Sequence, residues 1–215
     1  MFELIDKGGQ LMWLIMACSV VAFAVALERF LHFLRCGLDV GDFMKGIALL
    51  VSEGRVDEAL RESRAAPGPV ARVVQAALSR PHLPRSEMRD VVREAGQIEV
   101  ARLENHLPVL ATIAMVAPLI GFLGTLLGLI DTFIQVSEVT GYATPVELSR
   151  GVYQSLITSA GGLAVAVPSY ILFAYLATRA KHLMHDMERA GIETINLLCD
   201  SRAAAVAGPA SAEEK

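Results

Sequence analysis

The fold is decided by residues 109–134, which read VLATIAMVAPLIGFLGTLLGLIDTFI. Two further apolar runs occur, LMWLIMACSVVAFAVAL at 11–27 and VYQSLITSAGGLAVAVPSYILFAYLA at 152–177. Because an α-helix rises 1.5 Å per residue, about 20 apolar residues cross the roughly 30 Å hydrocarbon core of a bilayer. The sequence therefore predicts an all-α membrane protein with three transmembrane helices embedded in the lipid bilayer.

The composition favours the same class. Of the 215 residues, 53% are hydrophobic, and the mean hydropathy is +0.47. The net charge of -4 argues against a nucleic-acid partner, for which a clustered basic surface is expected. Cys18, Cys36 and Cys199 lie too far apart in sequence for a disulfide framework or a metal motif. We therefore expect reduced thiols.

The sequence contains none of the common motifs of enzymes. It has no Walker A loop, no dinucleotide-binding glycine pattern, no nucleophile elbow and no zinc motif. His182 and His185 stand three apart with Asp186 nearby, but two histidines make a weak metal site, and a solvated helix face is the favoured interpretation. The sequence therefore predicts no enzyme activity, no cofactor and no bound metal.

Lysine and arginine are concentrated on one side of the predicted spans. They follow the first span, precede the second and follow the third, at Arg29, Arg35, Lys45, Arg89, Arg93, Arg102, Arg179, Lys181 and Arg189. The opposite flanks offer only Lys7 and Arg150. Because cytoplasmic flanks are the basic ones, we expect the N-terminus on the outer side of the membrane and the C-terminus in the cytoplasm. The alternative, a signal peptide cleaved near Ala26, is disfavoured by the acidic Glu3 and Asp6.

This topology divides the chain into seven segments. They are a periplasmic N-terminus with the first transmembrane helix (1–35), a cytoplasmic helical region (36–106), the second transmembrane helix (107–136), a short periplasmic loop (137–149), the third transmembrane helix (150–178), a cytoplasmic helical extension (179–202) and a disordered tail (203–215). The second and third helices are expected to be long and to extend into the cytoplasm.

Turn residues divide the cytoplasmic region into short helices. Asp42 is expected to cap the first of them, and two more are expected at 56–64 and 70–78. A further helix begins near Ser86, where apolar residues recur at helical spacing. We expect it to continue through His106 into the second span without a break.

Small residues line one side of the second span. Gly124 and Gly128 stand four apart, as do Gly121 and Thr125, so each pair shares a helix face. Such a face packs closely against another helix. The hydroxyl of Thr125 lies near the middle of the membrane, where it either bonds to its own helix backbone or faces a polar lumen.

The third span carries a strip of polar and small residues. Its members recur at offsets of one, three and four, and they are Gln154, Ser155, Thr158, Ser159 and Gly162. Gly161 adds another small residue, and Pro168 predicts a bend. A lipid-facing helix is not built this way, because polar groups are costly in hydrocarbon. The strip therefore points inward, either as a helix interface joined by hydroxyls or as a water-lined face.

These two spans resemble the paired signature of the ExbB/TolQ/MotA proton-channel family. The resemblance rests on APLIGFLGTLLG at 117–128 and on GVYQSLITSAGGL at 151–163, continuing to Pro168. The pair Glu28-Arg29, which closes the first span, fits as well. The resemblance covers nearly the whole chain and is closer to ExbB and TolQ than to MotA, which has four spans.

The resemblance implies a subunit of a motor driven by the proton motive force. Members form a homopentamer whose second and third spans line a pore, and a dimer of single-span ExbD/TolR-like subunits places an acidic transmembrane residue inside it. The output is force on a TonB/TolA-like or motility partner, for TonB-type transport, Tol-type envelope integrity or gliding and surface motility. Thr125 and Ser159 match pore-facing hydroxyls, and we expect Ser155 and Thr158 to line the same pathway.

The chain departs from the family pattern in the third span. Gln154 stands where glutamate is frequent, and Ser159 where threonine is frequent. Because glutamine cannot titrate, proton transfer here would depend on water held by Gln154 or on the acid of the partner. Asp131, near the outer end of the second span, is either a hydrated interfacial carboxylate or the outer mouth of a proton path.

A proton relay across hydrocarbon needs a titratable group at depth, and the deep parts of the three spans contain none. We therefore expect no conduction by this chain without a subunit that supplies an acidic transmembrane helix. The alternative function is a non-conducting membrane scaffold or assembly factor, in which the hydroxyl strip only packs helices.

Overall fold

A computed structural model describes residues 9–35, 37, 39–138 and 145–207, and within these ranges the chain forms helices and no strand. The helices of this part of the chain are α1 (Gly9–Arg35), α2 (Val40–Ser52), α3 (Val56–Ala65), α4 (Pro69–Leu78), α5 (Arg85–Glu104), α6 (Leu107–Glu138) and α7 (Pro145–Ala207). The prediction of an all-α protein is confirmed.

Three helical stretches of the described chain are long and apolar enough to cross a membrane. They lie within Leu11–Leu34, Arg85–Ile134 and Gly151–Ala203. Large apolar side chains on these stretches are more than half exposed in the single chain, among them Trp13, Phe23, Met115, Phe133 and Tyr170. Because a soluble monomer rarely exposes so much apolar surface, the exposed side chains agree with a surface that meets lipid or other subunits. The three predicted spans are confirmed as helices able to cross a bilayer.

The chain divides into two compact units. Unit 1 comprises the described residues of Met1–Phe30 and His106–Leu176, and unit 2 comprises those of Leu31–Asn105 and Ala177–Lys215. Unit 1 therefore contains α6 and the apolar parts of α1 and α7. Unit 2 contains α2 to α5 and the remainders of α1 and α7.

The helix α2 begins earlier than the sequence predicts. Asp39 is its N-cap, since the carboxylate of Asp39 accepts hydrogen bonds from the backbone N–H groups of Gly41 at 3.0 Å and Asp42 at 3.3 Å. The prediction that Asp42 caps this helix is therefore wrong. Asp42 lies in the first turn, where it forms an ion pair of 2.9 Å with Lys45. Both aspartates have the chemistry of an N-cap, so the sequence pattern alone does not separate them.

The predicted continuous helix from Ser86 into the membrane is wrong, because α5 ends at Glu104 and α6 begins at Leu107. Between them His106 has a φ of 63°, a left-handed conformation in which histidine is enriched compared with most residues. Pro108 accounts for the break, since proline cannot supply the backbone N–H of a helix interior but is tolerated in the first turn of a helix.

The helix α7 runs without interruption for 63 residues and contains Pro168 in its interior. It ends at Ala207, so residues 203–207 of the expected tail belong to this helix in the structure, in keeping with the high helix propensity of alanine. Residues 208–215 of the expected tail lie outside the described residues, as do 139–144 of the expected periplasmic loop.

Candidate ion pathway

Within unit 1, α6 and α7 approach until their backbones touch. A Cβ atom placed on Gly162 would lie 2.5 Å from the carbonyl oxygen of Ala117, and one placed on Gly121 would lie 3.1 Å from that of Ser159. A non-bonded carbon and oxygen atom cannot approach as closely as 2.5 Å without displacement of the backbone. We call this contact, together with Gly124 and Gly128, the glycine seam.

The glycine seam continues along α6 toward its C-terminal end. A Cβ on Gly124 would lie 2.5 Å from Cγ2 of Thr158, and a Cβ on Gly128 would lie 2.8 Å from Cβ of Ser155. Thr158 and Ser155 are each only 2% exposed. These two residues of the predicted polar strip therefore fill the spaces that the glycines leave.

The hydroxyls of Ser155 and Thr158 bond to their own helix. Ser155 Oγ donates to the carbonyl of Val152 at 2.8 Å, and Thr158 Oγ1 donates to that of Gln154 at 3.1 Å. Such bonds satisfy a buried hydroxyl locally. Of the two interpretations left open by the sequence, the single chain places these two residues in a helix interface, while their role in lining a pore stays a prediction.

A contact that the sequence analysis missed extends the seam toward the C-terminal end of α6. Thr132 is buried, and its Oγ1 donates to the carbonyl of Gly128 at 2.7 Å. A Cβ on Gly151 would overlap Thr132 Oγ1, so glycine is required there. The spacing of four residues between Gly128 and Thr132 was the available signal, since it extends the row of small residues by one turn.

The first span also packs on the seam, which the sequence analysis did not anticipate. A Cβ placed on Gly161 would lie 3.2 Å from Sδ of Met12. A Cβ placed on Gly124 would lie 3.6 Å from Cδ1 of Leu11. Gly161 therefore faces α1, whereas Gly162 faces α6. No pattern within α1 alone identifies Met12 as the residue that meets Gly161.

Thr125 and Ser159 are both half-buried in the single chain. Thr125 Oγ1 donates to the carbonyl of Phe122 at 2.5 Å, so the hydroxyl bonds to its own helix here. The backbone of Ser159 lies against Gly121, which is one helical turn before Thr125. The seam therefore holds these two hydroxyl-bearing residues at neighbouring levels of α6 and α7.

The remaining predicted pathway residues lie on the surface of the single chain. Gln154 and Asp131 are both exposed. Pro168, which the sequence assigns to helix packing and not to the pathway, is exposed as well. Gln154 immediately precedes the buried Ser155, so its side chain leaves α7 in a different direction from the interface. The structure thus groups Ser155 and Thr158 in the interface and leaves Gln154 and Asp131 outside it.

A polar cluster joins the end of the first span to the residue before α6. Arg29 is only 5% exposed, and its Nη2 lies 3.0 Å from Nδ1 of His106. Glu28 Oε2 lies 3.2 Å from the same nitrogen. All three residues belong to unit 1, and the cluster was not predicted, since nothing in the sequence brings positions 28 and 106 together.

In unit 2, an exposed ion pair changes the pKa values of its members. The hydrogen bond between Arg55 and Glu58 lowers the pKa of the Glu58 carboxyl and raises that of the Arg55 guanidinium. Both groups are exposed, so this ion pair is a surface feature of α3 and has no part in the candidate pathway.

Several proteins of known description are similar to this chain in sequence. An ExbB homolog of Methanothermobacter thermautotrophicus is 31% identical over 179 residues, which cover 82% of this chain and 63% of that protein. The biopolymer transport protein exbB1 of Vibrio cholerae is 30% identical over 190 residues, covering 86% of this chain and 83% of the relative. The Tol-Pal system protein TolQ of Haemophilus influenzae is 35% identical over 88 residues, covering 41% and 38%.

The family comparison covers the glycine seam itself. The sequence pattern of the MotA/TolQ/ExbB proton channel family matches residues 65–189, which are more than half of the chain. This range contains all of α6 and the part of α7 that packs on it. The family to which the seam residues pointed is thereby confirmed, and this chain belongs to the MotA/TolQ/ExbB proton channel family.

Proposed function

We propose that this chain is the channel and stator subunit of a motor driven by the proton motive force in the bacterial inner membrane. It would energise a partner that acts in the cell envelope, in TonB-type transport, Tol-type envelope integrity or gliding and surface motility. The proposal includes a homopentamer and a dimer of ExbD/TolR-like subunits with an acidic transmembrane residue. It also includes a periplasmic N-terminus and a cytoplasmic C-terminus, because the cytoplasmic flanks of spans are the basic ones.

The observation that carries the proposal is the placement of Ser159 and Thr125 by the glycine seam. The backbone contact at Gly121 brings the two hydroxyl-bearing residues to neighbouring levels of two membrane helices, and both remain half-buried. A polar group at depth in a membrane helix is costly unless it meets protein or water. The Thr125 hydroxyl already donates to its own helix, and a wet lumen surrounded by further copies would hydrate the exposed parts of both residues.

The burial of the other predicted residues indicates which of them can contact the proposed pathway. Ser155 and Thr158 are buried against Gly128 and Gly124 in the single chain, so the proposal gives them a supporting place behind the wall instead of the direct pore-lining place expected from the sequence. Gln154 on α7 is exposed and can reach a lumen with its amide. Asp131, also exposed and near the outer end of the second span, is proposed as the outer mouth of the path.

A partner must supply the proton carrier under this proposal. The hydroxyls of Thr125 and Ser159 relay hydrogen bonds but do not ionise at physiological pH. Moving one charge through 100 mV releases about 2.3 kcal/mol, which becomes work only if a titratable group is loaded on one side and unloaded on the other. An acidic residue in a single-span helix of the ExbD/TolR type meets this requirement.

The test is proton flux into proteoliposomes, measured with an enclosed pH-sensitive dye under an imposed membrane potential. Liposomes with this chain alone should conduct no more than empty ones, and those with an added ExbD/TolR-type subunit should conduct. Ser159→Leu should reduce the flux about 100-fold, because a large apolar side chain displaces water from the wall and adds roughly 2.7 kcal/mol to the barrier. Flux through the chain alone would contradict the proposed role of the partner.

The matched control is Ala164→Leu, which adds similar bulk to an exposed position of α7. This variant should keep most of the flux. Equal loss in both variants would show that bulk on α7 disturbs assembly, and full flux in Ser159→Leu would exclude Ser159 from the wall.

A non-conducting scaffold or assembly factor is the second candidate, and one observation favours it. Ser155 and Thr158 are buried and bonded to their own helix, so part of the polar strip already has a purely structural use. If the whole strip only packs helices, proteoliposomes with the partner subunit will remain impermeable to protons while the two proteins still purify as one complex.

A further inference from the structure

One ring nitrogen of His106 lies close to two groups of opposite charge. Its Nδ1 lies 3.0 Å from Nη2 of Arg29, and it lies 3.2 Å from Oε2 and 3.3 Å from Oε1 of Glu28. All three distances are within hydrogen-bonding range. The cluster therefore offers His106 Nδ1 both a cation and a carboxylate, and these two groups also contact each other, since Arg29 Nη2 lies 3.5 Å from Glu28 Oε1.

The two contacts exclude each other as hydrogen bonds. A guanidinium only donates, so the contact with Arg29 requires a lone pair on Nδ1 and therefore a neutral ring with its proton on Nε2. An ionised carboxylate only accepts, so the contact with Glu28 requires a proton on Nδ1. A single nitrogen atom cannot meet both requirements at once, and the protonation state of the ring decides which bond forms.

We propose that His106 is a proton-binding site that exchanges partners when it titrates. The neutral ring accepts a hydrogen bond from Arg29, and the protonated ring donates to Glu28 and is repelled by the guanidinium. Imidazole is the side chain that proteins most often use to respond to a change in pH near neutrality. The balance is one proton taken from water onto Nδ1, with no other bond made or broken.

The three side chains differ in how far they are exposed to water, and this difference favours the exchange. The side chain of Arg29 is 6% exposed, whereas those of Glu28 and His106 are 54% and 45% exposed. The guanidinium is thus held in place by its surroundings, while water can deliver a proton to the ring. His106 also has a φ of 63°, and it immediately precedes Leu107, the first residue of α6.

Charged residues lie beside His106 within unit 1 and also precede it in the sequence. Among the described residues, Glu28 and Arg29 of α1 lie within hydrogen-bonding distance of its Nδ1. On the side of His106 itself, Arg102 and Glu104 precede it by four and two residues. The proposal rests on the geometry within unit 1 and does not require that the chain conduct protons, so its test is separate from the flux measurement.

The experiment is nitrogen NMR of the full chain in lipid bilayers, labelled with 15N at its histidines and titrated from pH 5 to 8. The resonances of His106 are identified by their loss in His106→Asn, since asparagine tolerates the left-handed conformation. Nitrogen shifts distinguish the two neutral tautomers. At high pH we expect the form with the proton on Nε2, and at low pH the doubly protonated ring.

Two variants that each remove one charge are expected to shift the pKa of His106 in opposite directions. Arg29→Gln should raise the pKa of His106, because it removes a positive charge and a donor to the neutral form. Glu28→Gln should lower that pKa, because it removes the acceptor of the protonated form. We expect each shift to be about half a unit to one unit, smaller than for fully buried pairs because the ring is half exposed.

The matched control is Glu104→Gln, which removes a carboxylate two residues away along the chain and should shift the pKa less than Glu28→Gln does. A neutral ring with its proton on Nδ1 in the wild-type chain would overturn the proposal without any variant. Equal effects of Glu104→Gln and Glu28→Gln would also overturn it. If Arg29→Gln does not fold, the wild-type tautomer and the Glu28→Gln shift still decide the matter.

Discussion

The helices of unit 1 and unit 2 are held together in different ways. In unit 1, α6 meets α7 through glycines, and a Cβ on Gly162 would lie 2.5 Å from a backbone oxygen. In unit 2, the buried side chains are mainly aliphatic, and Ile47, Val51, Val74 and Leu198 are no more than 1% exposed. Hydrophobic burial drives association in water, but lipid offers no such gain, so membrane helices depend on close backbone contact.

Buried polar groups also differ between the glycine seam and unit 2. Unit 2 contains a carboxylate, Glu99, whose side chain is 5% exposed and lies 2.6 Å from Arg72 and 2.9 Å from Arg102. The polar atoms at the seam of unit 1 are hydroxyls bonded to their own helix, as in Ser155 and Thr158. A buried ion requires partners of opposite charge, whereas a hydroxyl can be satisfied by its own backbone.

The largest effect is expected for Gly162→Ala, which tests whether the seam depends on backbone contact. The added Cβ overlaps the carbonyl oxygen of Ala117, which cannot move without displacing α6. We expect a loss of about 1–3 kcal/mol in the free energy of unfolding, measured by denaturation in mixed micelles.

The control for that variant is Gly96→Ala in unit 2. Gly96 lies in α5, and a Cβ there would meet no atom within 4 Å. Alanine should therefore stabilise α5 by about 0.5–1 kcal/mol through helix propensity. If both variants are equally stable, the seam is looser than its distances indicate and the contrast between the two units fails.

A smaller effect is expected for Glu99→Gln, which tests the charge in unit 2. The variant keeps the shape of the side chain but removes the charge that two arginines neutralise. We expect a loss of about 1–2 kcal/mol in the free energy of unfolding, because both arginines are partly exposed and remain hydrated. The control is Glu94→Gln at an exposed position of the same helix, which should be neutral to about 0.5 kcal/mol. Equal stability of the two variants would show that the buried charge of Glu99 does not stabilise unit 2.

The smallest effect is expected for Thr158→Val, which tests whether the buried hydroxyl matters. Valine keeps the volume that fills the space beside Gly124, and the lost hydrogen bond is to the same helix. We expect a change of about 0.5–1 kcal/mol in the free energy of unfolding and nearly unchanged proton flux. The control is Thr112→Val, since Thr112 makes the same kind of bond to Pro108 at an exposed position. A large loss of flux in Thr158→Val would instead place the Thr158 hydroxyl in the pathway.

Features that depend on neighbouring residues in the sequence were predicted well. The three spans follow from run length, and the helices of unit 2 follow from turn residues such as Gly54, which has a φ of 77°. The prediction failed where two local solutions have similar free energies, as for the choice between Asp39 and Asp42 as N-cap. It also failed at His106, where apolar spacing continues across a break that Pro108 imposes.

The candidate pathway was predicted only in part. The sequence identified the polar strip, since hydroxyls in an apolar helix stand out by composition. It did not separate Ser155 and Thr158, which are buried, from Gln154, which is exposed. Met12 and Gly151 were missed, because their importance arises from contacts with residues far away in sequence.

The sequence by itself determined that this protein has three helices able to span a membrane, with a row of small residues on one and a polar strip on another. Length, apolarity and helical period are local properties of the chain. Only the tertiary structure decided which hydroxyls the seam buries and which it leaves at the surface, and that Glu28, Arg29 and His106 share one cluster. The reason is physical: the direction of a side chain follows from its own helix, but its partner depends on how two helices pack.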